Sequence, residues 1–279
     1  MTALGEPRSF ANAAGVAALY DHGAHLVHWQ PQGVEPVLWM SDASALDDAA
    51  PIRGGVPICF PWFGAGRTGD QAPVHGFARI RPWTLDAVTE EPASTRLTYQ
   101  LDIDPSEAFP HRLRAAYAIT FGETLELTLT VTNRGGAEAS FEEALHTYFA
   151  VSDIHQVRVL GLDGATYLDK SPAGAGALVT QSGDVTFAGE TDRVYSASTD
   201  VTIVDPGLHR SIVVSKQNSA NTVVWNPWVA KSAAMPDFGD DEWPGMLCVE
   251  GANVGANAIV LAPGASHTMT YRVQVLPLA

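Results

Sequence analysis

The sequence contains only two cysteines in 279 residues, Cys59 and Cys248, and both lie in apolar segments. Two cysteines are too few for a disulfide framework, so we expect buried thiols in a reducing compartment, the cytoplasm. No apolar run approaches the roughly 18 residues that a membrane-spanning helix needs. The first residues show no basic segment followed by an apolar core, so we expect neither a signal peptide nor a membrane partner.

Positive charge is scarce, because 16 Lys and Arg stand against 31 Asp and Glu and the formal net charge is −15. So acidic a chain is a poor candidate for binding nucleic acid or an anionic membrane. Only three basic residues are lysines, whereas seven arginines are concentrated at positions 53, 67, 79, 81, 96, 112 and 114. Arginine suits bidentate binding of phosphate or carboxylate, although a coding bias toward arginine is the simpler explanation of the composition.

The sequence has no serine in a nucleophile elbow and no glycine-rich phosphate loop between a strand and a helix. His22, His25 and His28 are evenly spaced. On a strand, however, His22 and His28 share one face and His25 lies on the other, which disfavours a metal site at these residues.

Long helical stripes are absent, and alternation with a period of two is the dominant pattern. It is clearest at Thr124–Asn133, where the apolar residues share one face and the polar residues share the other. Similar patterns predict strands at 23–29, 37–40, 96–103, 115–121, 157–161, 201–204, 211–215, 222–225 and 271–275. Because no linker divides the chain, we predict an all-β, mostly antiparallel sandwich that forms one domain over 1–279, with disorder confined to about residues 1–10.

Two titratable residues lie in unusually apolar segments. Glu250 lies within Leu-Cys-Val-Glu-Gly-Ala-Asn-Val, and His146 lies within Ala-Leu-His-Thr-Tyr-Phe. A buried carboxylate is costly unless it is paired or used, and a glutamate and a histidine in one cleft form an acid/base pair. Each residue alone is more often structural. The prediction therefore depends on their joint occurrence with Arg53, His75 and Arg79.

Arg53, His75 and Arg79 lie in a region with the composition of a rigid, irregular loop. A pair of glycines follows Arg53, and two prolines bracket the apolar residues after it. Glycine lets a backbone approach a ligand closely, and proline restricts the loop. The alternatives are a structural ion pair for Arg79 and a hydrogen-bonded core position for His75.

Six motifs follow one another along the chain: RGGVPICFPWFG from residue 53, HGFAR from 75, LHTYF from 145, ETDRVY from 190, WNPW from 225 and CVE from 248. This series resembles the hexose-6-phosphate mutarotases, which are relatives of the aldose 1-epimerases in the galactose mutarotase-like superfamily. The resemblance covers nearly the whole chain. It implies a large antiparallel β-supersandwich with a site in a groove on one face, and a monomer whose partner is a small sugar phosphate.

The resemblance also implies roles for individual residues. His146 matches the general acid and Glu250 matches the general base. The substrate-binding residues that it implies are Arg53, His75, Arg79 and Asp192. Arg53 and Arg79 would suit a phosphate, whereas Asp192 would bind the sugar.

Two positions leave the details of substrate binding open. Asp169 competes with Asp192 for the role of the sugar-binding carboxylate, although the motif around Asp192 matches better. Relatives often carry a substrate-binding Gln directly before the HGFAR motif, where this chain has Val74. One hydrogen bond to the substrate is therefore lost or replaced, which leaves the preferred sugar open.

The implied activity is that of a glucose-6-phosphate 1-epimerase, an isomerase that interconverts the α and β anomers of a hexose 6-phosphate. The ring opens to the aldehyde and closes on the other face of the carbonyl group. Only protons move, so we expect no cofactor and no metal. Action near neutral pH requires a protonated His146 beside an ionised Glu250. Candidates to stabilise that imidazolium are Glu142, Glu143 and Asp192.

Two other functions remain open. An aldose 1-epimerase of free sugars would share the acid/base pair but would not need two arginines. A noncatalytic module that binds carbohydrate or senses a sugar phosphate could share the fold, although the presence of both His146 and Glu250 favours an enzyme.

Overall fold

The computed structural model describes residues 3–278. The sequence predicts disorder for about residues 1–10. Residues 1 and 2 lie outside the described residues, and a strand already begins at Arg8. The strands are β1 (Arg8–Asn12), β2 (Gly15–Tyr20), β3 (His25–Pro31), β4 (Ile58–Cys59), β5 (Thr84–Glu91), β6 (Ser94–Ile103), β7 (Leu113–Phe121), β8 (Thr124–Asn133), β9 (Ala139–Phe141), β10 (Glu143–Leu145), β11 (Tyr148–Ala150), β12 (Arg158–Leu160), β13 (Thr166–Asp169), β14 (Ala177–Thr180), β15 (Thr191–Tyr195), β16 (Val201–Asp205), β17 (Arg210–Gln217), β18 (Asn221–Asn226), β19 (Met246–Asn253), β20 (Ile259–Leu261) and β21 (Ser266–Pro277). Within 3–278 the α-helical structure is limited to α1 (Trp228–Ala234), accompanied by 3₁₀ turns at Ala78–Ile80, Trp243–Gly245 and Gly255–Asn257.

Two eight-stranded antiparallel sheets form most of the protein. The first, which we call the site sheet, has the order β14-β13-β15-β18-β19-β10-β4, and β11 also pairs with β19. The second, the back sheet, has the order β12-β16-β17-β21-β8-β7-β6-β5. A three-stranded sheet, β1-β2-β3, and the pair β20-β9 complete the fold. The all-β, antiparallel prediction is therefore confirmed.

The core lies between the site sheet and the back sheet. In β8 the alternation predicted from the sequence is confirmed, since its four apolar residues are fully buried. Tyr271 of β21 extends from the back sheet, and its hydroxyl donates a hydrogen bond of 2.6 Å to the carbonyl of Val249 in β19. A Cβ atom at Gly251 would lie 2.9 Å from the Tyr271 ring. The glycine after Glu250 therefore lets β19 approach the back sheet closely and sets the position of Glu250.

The strand predicted at 37–40 is wrong, because this segment makes only isolated bridges at Leu38 and Met40. Its backbone lies between two irregular segments. The Trp39 N–H donates to the carbonyl of Tyr148, and the Trp39 carbonyl accepts from the N–H of Gly55. Strand-like alternation thus occurs here in a segment that has no continuous partner strand.

Two other strands differ from their predicted bounds, and backbone conformation explains the difference at one end of each. β3 starts at His25 rather than at residue 23, since Gly23 and Ala24 have φ values of 71° and 44° and form a turn. β12 ends at Leu160, because the following Gly161 has a φ of 95°. Both cysteines are buried and free, and no helix within 3–278 is long and apolar enough to cross a membrane.

Candidate active site

The site sheet brings residues that are distant in the sequence onto one face. Asp192 in β15 pairs with Trp225 in β18, and Val223, two residues before Trp225, pairs with Glu250 in β19. Directly paired residues of antiparallel strands point to the same face, as do residues two apart in one strand. Asp192 and Glu250 therefore project from the same face of the site sheet.

Loops around this face complete a cavity of about 350 Å³. His146 follows β10, Lys170 follows β13, and the segment between β4 and β5 contributes both His75 and Arg79. All six site residues predicted from the sequence line this cavity, together with further side chains: Arg53, Phe63, Val74, His75, Arg79, His146, Lys170, Asp192, Val223, Trp225, Lys231, Met235 and Glu250.

His146 and Glu250 meet at the base of the cavity. The Nε2 atom of His146 lies 3.5 Å from Oε1 of Glu250, and the two side chains are 9% and 1% exposed. Both carboxyl oxygens of Glu250 and Nδ1 of His146 are buried without a hydrogen-bond partner among the described residues. Buried polar atoms in proteins are normally hydrogen-bonded, so a group of unpartnered ones marks a place where ligand atoms can bind.

Aromatic side chains hold the His146 imidazole in place. The ring stacks on Tyr148 with centroids 4.8 Å apart and an interplanar angle of 15°. Trp225 and His75 contact the same ring edge-on, with centroid distances of 5.8 Å and 5.7 Å. Because three rings restrict its rotation, the imidazole keeps Nε2 directed at Glu250.

The electrostatic environment favours the uncharged form of both groups. Burial lowers the pKa of His146 to about 3, and the charges of Arg79 and Arg53 act in the same direction. Burial raises the pKa of Glu250 well above its ordinary value, and the charge of Asp192 adds to this effect. Burial therefore favours a neutral imidazole beside a neutral carboxyl group, which differs from the imidazolium and carboxylate expected from the sequence.

Glu142 does not contact the His146 ring, so the expectation that it favours the imidazolium is wrong. Its carboxylate accepts hydrogen bonds from the backbone N–H of Phe63 at 3.0 Å and of Gly255 at 2.6 Å. Glu142 thus fixes two loops that flank the cavity.

Glu143 lies on the other side of the strand and contacts a different histidine. Its Oε1 atom lies 3.0 Å from Nε2 of His267 and accepts a 2.8 Å hydrogen bond from Nδ2 of Asn253. Each glutamate is therefore held by other partners, which keeps both carboxylates from the imidazole of His146.

The Glu143–His267 pair predicts a pH-dependent stability. The hydrogen bond that His267 donates to the carboxylate of Glu143 raises the pKa of the partly buried His267. The folded protein binds this proton more tightly than the unfolded chain, so the contribution is complete below about pH 6.5 and is lost as the pH rises through the raised value. We expect His267→Gln to lower Tm by several degrees near pH 5.5 and by less near pH 9. Thermal unfolding of both proteins across this range tests this, and a difference in Tm that does not vary with pH would contradict it.

His75 is a neutral hydrogen-bond donor in this arrangement. Its Nδ1 atom accepts a hydrogen bond from the backbone N–H of Gly64 at 3.2 Å. An imidazole that accepts at Nδ1 carries its proton on Nε2. Burial, followed by the charge of Arg79, lowers the pKa of His75 well below its ordinary value, so the ring stays uncharged near neutral pH.

Arg53 and Arg79 differ in their charge partners. Arg53 forms an ion pair with Asp237 at 3.0 Å and donates a hydrogen bond of 3.0 Å to the hydroxyl of Tyr148. Arg79 donates to the carbonyl of Val74 at 2.7 Å and has no carboxylate partner among residues 3–278. Burial lowers the pKa of Arg79. Of the two arginines, Arg79 is therefore the one whose charge is not balanced by the protein.

Asp192 lines the cavity, whereas the competing Asp169 does not. The Asp192 side chain is 17% exposed, its Oδ2 atom lies 3.8 Å from Nζ of Lys231, and burial raises its pKa. Asp169 accepts hydrogen bonds from the N–H and the hydroxyl of Ser171 and so holds the turn after β13. Between the two carboxylates, only Asp192 is placed to contact a ligand in the cavity.

The sequence analysis assigned no role to Lys170 and Lys231, although both line the cavity. Lys231 pairs with Glu190 at 3.0 Å. The scarcity of lysine could have pointed to these residues, since two of the three lysines in the chain line the cavity.

Two of the three evenly spaced histidines near the N-terminus have backbone partners. His25 Nε2 donates to the carbonyl of Gly54 at 2.8 Å, and His22 Nε2 lies 3.3 Å from the carbonyl of Ala50. Across the described part of the chain, no three His, Cys, Asp or Glu side chains are grouped so that they could hold a metal ion.

Comparisons with known proteins agree with this architecture. Residues 9–274 match the family model of aldose 1-epimerase. A protein of Escherichia coli K12 named as a candidate glucose-6-phosphate 1-epimerase is 40% identical over 234 residues, which cover 82% of this chain and 77% of that protein. A protein of Cenchrus ciliaris with the same name is 37% identical over 262 residues, covering 89% of this chain and 78% of that protein. The crystal structure of a candidate mutarotase from Salmonella typhimurium has a TM-score of 0.88 at 33% identity, covering 96% of this chain and 90% of that one. The chain therefore belongs to the aldose 1-epimerase family.

Proposed function

We propose that this protein interconverts the α and β anomers of a hexose 6-phosphate, as a glucose-6-phosphate 1-epimerase does, with His146 and Glu250 as the acid/base pair. The observation that carries the proposal is the 3.5 Å approach of these two buried groups, whose free polar atoms face a cavity with unbalanced positive charge. The names of the relatives from Escherichia coli and Cenchrus ciliaris support the same substrate.

Ring opening removes a proton from the C1 hydroxyl and delivers a proton to the ring oxygen. Both oxygens are bonded to C1, so two groups as close as His146 and Glu250 can reach them together. Glu250 acts as the base and His146 as the acid, and closure on the other face of the carbonyl group reverses the roles. Each group contributes roughly 10²–10⁴-fold to the rate.

The reaction needs one acidic proton on the His146–Glu250 pair. A neutral carboxyl group beside a neutral imidazole supplies that proton. That proton moves from Glu250 to His146 across the 3.5 Å between Oε1 and Nε2 before the ring opens. The charges of Arg79 and Arg53 oppose this transfer because they lower the pKa of His146. A phosphate dianion bound beside these arginines offsets their charge and raises the pKa of His146, so the substrate itself favours the acid form.

The remaining predicted residues bind the substrate. Arg79, which lacks a carboxylate partner, and Arg53, which keeps an N–H free beyond its bonds to Asp237 and Tyr148, bind the phosphate. Asp192 accepts from sugar hydroxyl groups, and His75 donates from Nε2. The apolar Val74 lines the cavity where relatives carry Gln, so it offers the sugar no side-chain hydrogen bond.

We further infer that residues 1–279 act as one domain, as a monomer, in the cytoplasm. The continuous apolar core shared by the site sheet and the back sheet supports one domain. The two buried free cysteines support a reducing compartment.

Anomer exchange measured by NMR tests the proposal. We expect the protein to accelerate α/β exchange of glucose 6-phosphate and galactose 6-phosphate well above the spontaneous rate, and to act far less on glucose. Equal acceleration of glucose would favour an aldose 1-epimerase of free sugars. Binding without acceleration of any of the three would favour a noncatalytic carbohydrate-binding module.

A further inference from the structure

Four cationic side chains line the cavity, and two of them form a close ion pair with a carboxylate outside it. Arg53 and Lys231 each form an ion pair with a carboxylate at 3.0 Å. Arg79 and Lys170 have no ion pair among residues 3–278. The carboxylate of Asp192 lines the same cavity, and the charges of Lys170 and Lys231 both act on it. The cavity still keeps an excess of positive charge that a phosphate dianion can offset.

Lys170 lies at the edge of the cavity, with its backbone hydrogen-bonded and its ammonium group near the aromatic ring of Phe63. Its backbone N–H donates a 2.7 Å hydrogen bond to the carbonyl of Asp192, which ties it beside the proposed sugar-binding carboxylate. Its Nζ atom lies 5.1 Å from the centroid of the Phe63 ring, and a Cβ atom at Gly64 would lie 3.9 Å from it. Lys170 thus extends from the site sheet toward the loop that carries His75.

The ammonium group of Lys170 is free to bind an anion. Its contact with the Phe63 ring is a cation–π interaction, which is weak at an exposed position and uses no hydrogen-bond donor. All three N–H groups therefore remain available, and lysine binds phosphate as a compact point charge. The net charge of −15 does not prevent this, because charges beyond roughly 8 Å are screened at physiological salt.

We infer that Lys170, together with Arg79, forms the subsite for the substrate's phosphate and that Lys170 determines the preference for phosphorylated over free sugar. This inference rests on the proposed function. Arg53 contributes less to this subsite, because most of its guanidinium donors already bond to Asp237 and Tyr148. Val74 offers the sugar no side-chain hydrogen bond. The affinity for the substrate therefore depends more strongly on the charge of its phosphate.

Lys170→Gln tests the subsite, because it removes the charge from an exposed side chain that makes no buried contact. We expect KM for glucose 6-phosphate to rise about tenfold or more, with kcat within about twofold, since a hydrogen bond to a charged group typically has this effect on binding. The dissociation constant of inorganic phosphate, measured by calorimetry, rises by a similar factor. Lys170→Arg retains most of the affinity.

Arg67→Ala is the matched control. It removes one positive charge from the loop that carries His75, but Arg67 bonds to Ser140 and does not line the cavity. Unchanged KM and phosphate affinity in Lys170→Gln, or an equal change in Arg67→Ala, would overturn the inference. Failure of the wild-type protein to accelerate anomer exchange would overturn the proposed function instead, and the phosphate titration would still decide whether Lys170 binds the anion.

Discussion

Glu250→Gln is expected to reduce enzyme-accelerated anomer exchange by roughly 10²–10⁴-fold while the protein stays folded. Glutamine has the shape of glutamate but neither releases nor accepts the proton. Neither oxygen of Glu250 has a hydrogen-bond partner among the described residues, so the amide disrupts no existing bond. Burial already favours the uncharged carboxyl group, so we expect Tm to stay the same or to rise. NMR exchange and thermal unfolding of the same sample measure both effects.

His146→Asn is expected to cause a comparable loss of rate. Asparagine does not titrate, so proton delivery to the ring oxygen is lost. This variant also loses the stacking of the imidazole on Tyr148, so its Tm should fall moderately. The two substitutions should not be additive, because removing either member of the pair already disables it.

Glu143→Gln is the matched control for both variants. Glu143 is as fully buried as Glu250 and lies three residues before His146, but its carboxylate pairs with His267 outside the cavity. We expect this variant to lose stability and to retain exchange activity. Full activity in Glu250→Gln or in His146→Asn would refute the acid/base assignment.

Arg79→Ala is expected to raise KM for a hexose 6-phosphate by about 100-fold or more. Hydrogen bonds to charged groups are worth about 1.5–3 kcal/mol each, and a guanidinium can donate two of them to one phosphate. Arg79 has no carboxylate partner among the residues described, so its charge is available to the ligand. The effect should exceed that of Lys170→Gln, because Arg79 lies deeper and binds with a planar pair of donors.

The ratio of KM for free sugar to KM for phosphorylated sugar distinguishes a loss of phosphate binding from damage to the loop that carries Arg79. Arg79 also donates to the carbonyl of Val74, so its loss weakens the loop and can lower activity on any sugar. We therefore expect KM to rise far more for the phosphorylated sugar than for free sugar, whereas Arg96→Ala changes neither, because Arg96 lies at Thr120 on the back sheet. Equal effects of Arg79→Ala on both sugars would favour the free-sugar epimerase.

The fold could be predicted from the sequence because its main signal is local. Alternation with a period of two predicts one buried face at every strand, and β8 spans the same residues, Thr124–Asn133, in the prediction and in the structure. The prediction failed at 37–40, since a strand also needs a continuous partner, and pairing is a long-range property that alternation does not contain.

The identities of the site residues were visible in the sequence, but their electrostatics were not. Apolar flanks singled out Glu250 and His146, and both line one cavity. Proximity in the chain suggested Glu142 and Glu143 as partners of His146, yet they bond to distant loops and to His267. The charges that act on His146 come instead from Arg79 and Arg53, which lie outside the strands in segments that are distant along the chain.

From the sequence alone came the all-β class, the family resemblance and the six residues of the proposed site, because these depend on residue type, local alternation and the order of motifs. Tertiary structure alone decided which of the cavity's cations lack an ion pair, which carboxylate faces the ligand, and that burial favours the neutral forms of His146 and Glu250. Those properties depend on burial and on distances between residues that are far apart in the chain, and both are set only when the two sheets pack together.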